Sequence, residues 1–181
     1  MAYAVVAIGT NIRPEYHLEA ALGHLSQRGQ LLAISRVYET PPVGAPGTPF
    51  FLNAAVLVRT DDPPERFIVD VLRPVEQILG RRRTHDPNAP RTIDLDLILY
   101  ADEGENVTWW DSQLRRYAHV ALPVADVVPN WRLPANEGLT VGEIAQKLLP
   151  QARAFRRRVD VEQRLRARLP GVAFPPNASD Q

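Results

Sequence analysis

The chain has no cysteine, a single methionine, a single lysine (Lys147) and no net charge, its 21 basic residues balancing 21 acidic ones across 181 positions. The missing cysteine excludes disulfides, thiolate zinc centres and thiol nucleophiles, and leaves oxygen-bound metals open. Zero net charge removes any general attraction to nucleic acid or anionic lipid, so such contacts would need local charge. No apolar run approaches the roughly 20 residues that cross a bilayer. The opening MAYAVVAIG is short, has no basic lead and runs into a turn, so it reads as a strand and not as a signal peptide. The expectation is a cytoplasmic monomer with no nucleic-acid or membrane partner. One domain over residues 1–168 and a flexible tail over 169–181 fit the length.

What is present is patterned. Residues 3–8 read as a buried strand, and a helix near 15–27 carries Leu18, Ala21, Leu22 and Leu25 on one stripe. Two β-rich runs, LLAISRVYET and FFLNAAVLVRT, flank the proline- and glycine-rich PPVGAPGTP, a long loop where a tight hairpin would be cheaper. A second stripe over 64–80 (Phe67, Val71, Val75, Ile78, Leu79) contains Pro74, which predicts a kink or a restart. The polar RRRTHDPNAP then leads into the strand TIDLDLILY. The order β-α-β-β-α-β predicts an α+β, ferredoxin-like core with C-terminal additions. Beyond residue 101 the pattern is less regular. It has an apolar VALPVADVVP, a helix opened by Thr140 and a basic helical pattern over 151–168. Trp109 and Trp110 read as anchors for this segment, and His17 and His24 as surface residues of the first helix.

The chemistry gathers near TIDLDLILY. In a strand, Ile93, Leu95 and Leu97 point to one face and Thr92, Asp94 and Asp96 to the other. Paired carboxylates repel unless a cation joins them, and Mg²⁺ prefers such oxygens together with phosphate. Arg91 stands directly ahead, and Arg81, Arg82 and Arg83 about ten residues upstream, so metal and arginines together suit a polyphosphate. Alternation also places Phe51 and Asn53 on one side of their strand, able to stack on and hydrogen-bond a flat heterocycle. Taken singly, each feature has a plainer reading: a solvated strand face, a basic helix end complementing its dipole, and an aromatic filling core beside a strand-edge amide.

The motifs AIGTN, YETPPVG, FFLNAAV and APRTIDLDLILY, in this order across residues 3–100, make the chain resemble the 6-hydroxymethyl-7,8-dihydropterin pyrophosphokinase family. The resemblance implies a ferredoxin-like enzyme that moves pyrophosphate from ATP, its co-substrate, to the hydroxymethyl group of the pterin. It further implies that Asp94 and Asp96 bind two Mg²⁺ ions and that Arg81 and Arg91 engage the phosphates, with Arg83 in the same loop. Glu76 falls near the nucleotide. Thr40, Pro42 and Val43 match the loop lining the pterin, Phe51 the ring stacked on it, and Asn53 the amide reading its edge.

Downstream, where the family has V-P-H-P and R-x-F-V/M-L-x-P-L, this chain reads TWWDSQLRRYAHVALPV. Counting back from Pro123, the second stacking aromatic falls on His119, the phosphate arginine on Tyr117, for which Arg115 or Arg116 would substitute with a small shift and so bind ATP, and the ATP-holding histidine near Asp111. A relative acting on a modified pterin, or binding it without turnover, would carry such changes. A ferredoxin-like sheet with exposed aromatics and arginines also describes single-stranded RNA binders, but two carboxylates on that face repel phosphate, and the RNP pattern is absent.

Overall fold

Apolar residues build strand β1 (Ala2–Thr10), and Pro14 opens helix α1 (Pro14–Ser26) in the first turn, where its missing N–H costs nothing. Strands β2 (Gln30–Ile34), β3 (Tyr38–Thr40) and β4 (Phe51–Thr60) follow, then α2 (Pro64–Arg66), a π-helical turn (Phe67–Leu72) and α3 (Arg73–Ile78). Next come β5 (Asp94–Ala101), β6 (Val107–Trp110), α4 (Gln113–Arg116), α5 (Ala118–Val127), α6 (Val141–Leu148), β7 (Arg156–Arg157) and α7 (Val159–Arg168). The computed structural model describes residues 1–44, 47, 49–82, 84–86, 89–134 and 138–176. The sheet runs β6-β5-β1-β4-β3-β7, with β2 also paired to β4 and every pairing antiparallel. Its centre is the expected ferredoxin-like core. The split of LLAISRVYET into β2 and β3 is set by Ser35, whose hydroxyl accepts the Ala55 N–H at 2.7 Å.

Both faces of the sheet are covered. Leu18, Leu22 and Leu25 of α1, Phe67, Val71, Leu72 and Val75 of the second helical segment and Val161 and Leu165 of α7 pack on one face. Val120, Ala121 and Val124 of α5 with Val141, Ile144 and Ala145 of α6 pack on the other. Helix α6 begins as expected, with Thr140 Oγ1 accepting from the Glu143 N–H at 3.1 Å. Trp109 and Trp110 do anchor β6, one packing on each core.

Several expectations need correction. Pro74 restarts the helix, as predicted, but through a π-helical turn in which the Arg73 N–H reaches the Ile68 carbonyl. After it Glu76 turns inward and Ile78 lies 54% exposed, against the predicted stripe. His17 is buried, its Nδ1 against the Ile12 carbonyl, and is no surface residue. The irregular apolar segment is helix α5, with Pro123 inside it. The basic pattern over 151–168 breaks at β7, so only α7 is helical there by α geometry. The chain after α7 is also tied down, since Ala173 bridges to Ala33 and the Ile34 N–H donates to the Ala173 carbonyl at 2.9 Å. A tail fraying from 169 is therefore not observed; residues 177–181 lie outside the described residues.

Candidate active site

Alternation holds along β5 from Asp94 to Leu97, so Leu95 and Leu97 enter the α1-side core while Asp94 and Asp96 share the opposite face. A register shift against β1 then leaves Ile98 as an extra residue, and Ile98 and Leu99 both enter the second core. Across the sheet, Gly9 pairs with Asp94 on one side and Asn53 on the other, bringing β1, β4 and β5 together at one sheet end. A Cβ at Gly9 would stand 3.2 Å from Asn53 Oδ1, a tight contact that would push the amide aside by a few tenths of an ångström, so glycine leaves Asn53 undisturbed here.

Two cavities of about 370 Å³ each meet here. The first is lined by Gly9, Thr40, Pro41, Val43, Phe51, Asn53, Arg91, Asp94, Gln113, Tyr117 and His119. Asn53 is buried and donates to Thr40 Oγ1 at 2.6 Å, which leaves its carbonyl oxygen to face the cavity side of Gly9. The second cavity is lined by Arg81, Thr84, His85, Asp86, Arg91, Asp94 and Asp96. Arg91 and Asp94 belong to both, joined by an ion pair at 3.0 Å, and the Arg91 guanidinium lies 5.6 Å from the centre of the Phe51 ring.

The turn at Thr10 and Asn11 holds Arg91 in place. Asn11 Oδ1 accepts the Arg91 N–H at 2.7 Å, the Asn11 N–H donates to the Arg91 carbonyl at 3.2 Å, and the Thr10 hydroxyl donates to the Thr92 carbonyl. On the other edge of β5, where β6 does not reach, α3 supplies the missing partners. Glu76 accepts the Leu95 N–H at 2.9 Å, and Arg73 donates to the Leu95 carbonyl at 3.1 Å and to Glu76 at 2.6 Å. Arg73 also stands 3.8 Å from Asp96. Glu76 is thus a buried support for the backbone between the two aspartates and lines neither cavity.

Burial pushes the Asp96 carboxyl up to about 6, helped by the charge of Asp94 and opposed by Arg73 and by a hydrogen bond from Gln113. A cation beside the two carboxylates would offset both the burial and the repulsion that raise Asp96. Among the described residues no third aspartate, glutamate, histidine or cysteine completes a metal cage. A two-carboxylate set fits Mg²⁺, which keeps several waters and takes phosphate oxygens for the remaining positions. His119, which lines the first cavity with Phe51, stacks on Tyr117 with ring centres 5.1 Å apart. Burial, with Arg91 nearby, pulls the His119 ring down to about 4, so it is a flat neutral ring at physiological pH.

Of the residues expected from sequence, Asp94, Asp96, Arg91, Arg81, Thr40, Val43, Phe51, Asn53 and His119 all border one or both cavities. Pro42 does not; Pro41 takes its place in the lining. Arg116 is exposed, lies over the Tyr117 ring at 5.2 Å and borders neither cavity. Asp111 caps α4, accepting the Gln113 N–H at 2.8 Å. Arg83 lies outside the described residues. Sequence reasoning missed Gln113 and Arg73, which no local motif marks and only the packing of α4 and α3 against β5 brings to the aspartates.

Residues 5–129 match the family model described as 7,8-dihydro-6-hydroxymethylpterin-pyrophosphokinase (HPPK). Curated proteins called 2-amino-4-hydroxy-6-hydroxymethyldihydropteridine pyrophosphokinase are similar over most of their length. That of Methylorubrum extorquens is 33% identical over 83% of this chain and 96% of its own. That of Synechocystis is 32% identical over 80% of this chain and 75% of its own. Among solved structures, a Plasmodium falciparum HPPK-DHPS chain shares the fold, with a TM-score of 0.63 at 14% identity over 83% of this chain. The match spans 45% of that longer chain.

Proposed function

The chain belongs to the 7,8-dihydro-6-hydroxymethylpterin-pyrophosphokinase family, and from that premise we propose that the junction of its two cavities at Arg91 and Asp94 is where transfer takes place. The protein is an ATP-dependent pyrophosphokinase of folate biosynthesis. It joins the hydroxymethyl oxygen of 6-hydroxymethyl-7,8-dihydropterin to the β-phosphorus of ATP. The bond from that phosphorus to the α-phosphate oxygen breaks, the hydroxyl proton is lost, and AMP and the pterin diphosphate leave.

The observation that carries the site assignment is the pair of unlike cavities with a shared wall. The first has an aromatic wall, a neutral histidine and a buried amide, which suit a flat heterocycle that must be both stacked and read at its edge. The second has Arg81, Arg91 and two carboxylates, which suit a metal-bound triphosphate. Asp94 and Asp96 would hold two Mg²⁺ ions, whose chemistry there is to neutralise phosphate charge and lower the cost of charge built up in transfer. Arg91, held through its backbone by Asn11 and through its head by Asp94, stands at the boundary where hydroxyl and β-phosphate must meet. Phosphoryl chemistry of this kind needs positioning and charge, and no side-chain nucleophile. Asn53 and Thr40 orient the pterin, with Phe51 and His119 as its two faces.

The test is an assay of purified protein with ATP, Mg²⁺ and the hydroxymethyl-dihydropterin, following AMP and pterin diphosphate. Wild type should yield both products one for one. Asp94→Ala and Asp96→Ala should each abolish turnover with the fold intact by circular dichroism; retained activity in either would sink the metal assignment.

A further inference from the structure

The wall of the first cavity that carries Thr40, Pro41 and Val43 grows out of β3, which is only three residues long. Its inner edge pairs with β4, and its outer edge with β7, a strand beyond the residues that match the family model. Beside that strand pairing, one buried carboxylate bonds to both β7 and the residue before β3. Glu162 of α7 is 2% exposed; Arg157 of β7 donates three hydrogen bonds to it, at 2.7 Å, 3.0 Å and 3.2 Å, and the Val37 N–H donates to it at 3.3 Å. The Arg158 N–H adds a bond to the Val37 carbonyl at 2.8 Å, and its guanidinium pairs with Glu39 at 3.2 Å. Three residues on from Val37, Thr40 accepts from Asn53.

We propose that Glu162 is a positioning residue for the pterin: through Arg157 and Val37 it sets where β3 lies and so where Thr40, Pro41 and Val43 stand in the cavity wall. This rests on reading the Phe51–His119 cavity as the pterin site. A buried ion pair adds little net stability compared with apolar residues of the same volume, because desolvation cancels most of the attraction. Its directional bonds do something apolar packing cannot, which is to fix one backbone N–H at the root of a short strand. Val161 and Leu165, on the same helix, supply the packing.

The experiment measures KM for each substrate on the full chain carrying Glu162→Gln, the double change Arg157→Gln with Glu162→Gln, Leu165→Ala or Phe51→Ala. The double variant removes both charges and leaves none buried alone, so it covers the case in which Glu162→Gln does not fold. Either Glu162 variant should raise the pterin KM by roughly tenfold, in the range that small misplacements of binding groups cost, with the ATP KM unchanged. Leu165→Ala should lower Tm and leave both KM values where they were. An unmoved pterin KM in the Glu162 variants while Phe51→Ala raises it would overturn the positioning role and leave the cavity reading intact. A pterin KM that rises as much in Leu165→Ala at equal loss of Tm would reduce the effect to stability and overturn it too. An unmoved KM in Phe51→Ala would remove the cavity reading and this inference together.

Discussion

Glu76→Ala should destabilise the protein by about 3 kcal/mol, the low end of what breaking a buried ion pair from one side costs. Glu76 is 2% exposed, while its partner Arg73 is 32% exposed and keeps the Leu95 carbonyl as an acceptor, so the guanidinium left behind is only partly stranded. The larger loss falls on the Leu95 N–H, which points away from β1 at a stretch that β6 does not cover, and a hydrogen bond to a charged acceptor contributes about 1.5–3 kcal/mol. Glu76→Gln keeps an acceptor oxygen in place and should cost about 1 kcal/mol. Urea unfolding followed by circular dichroism measures both, and the slope with denaturant should stay constant, since the surface exposed on unfolding does not change. Because Leu95 lies between Asp94 and Asp96, the alanine variant should also need more Mg²⁺ for half-maximal rate. A loss below about 1 kcal/mol in Glu76→Ala, or equal losses in the two variants, would refute the view that this carboxylate holds the β5 edge.

Asp96→Asn should abolish activity and yet stabilise the metal-free protein at pH 8. The carboxyl is raised from 3.8 to about 6 in the fold, so the native state holds the proton longer than the unfolded chain, and wild type loses stability as pH rises from about 4 through about 6; the asparagine variant escapes that loss, which Tm against pH will show. The same titration predicts Mg²⁺ affinity falling as pH drops below about 6, measurable by calorimetry. His119 has the opposite sign. Its ring is lowered from 6.5 to about 4, so the unfolded chain takes a proton first and stability falls as pH drops from about 6.5 towards 4, a slope that His119→Phe should remove. Thr140→Ala should cost about 1 kcal/mol in urea unfolding through loss of the α6 cap, with both KM values unmoved.

The core and the two aspartates were legible because their signals are local. Period-2 alternation puts Asp94 and Asp96 on one face of β5 whatever the rest of the chain does, and Leu18, Ala21, Leu22 and Leu25 declare the buried stripe of α1 at helical spacing. What alternation cannot show is the slip at Ile98, which depends on how β1 pairs with β5, or the inward turn of Glu76, which follows from the π-helical turn before Pro74. Tertiary partners hid the rest. Arg73 and Gln113 are ordinary helix residues until α3 and α4 are laid against β5, and β7 is unrecognisable in ARAFRRRVD until β3 offers it an edge. Asp111 shows the opposite case, a residue near which the sequence resemblance puts an ATP-holding histidine and whose carboxylate accepts the Gln113 N–H at the start of α4.

We propose that Asp94 and Asp96 hold metal at the wall shared by the two cavities. The direct measurement is the anomalous signal of Mn²⁺ in a crystal of the protein with the hydroxymethyl-dihydropterin and a non-hydrolysable ATP analogue. Two peaks within coordination distance of the two carboxylates, with phosphate on the Arg81 side and the pterin between Phe51 and His119, are the predicted result. Metal bound elsewhere, or substrates bound with no metal at either aspartate, would contradict it.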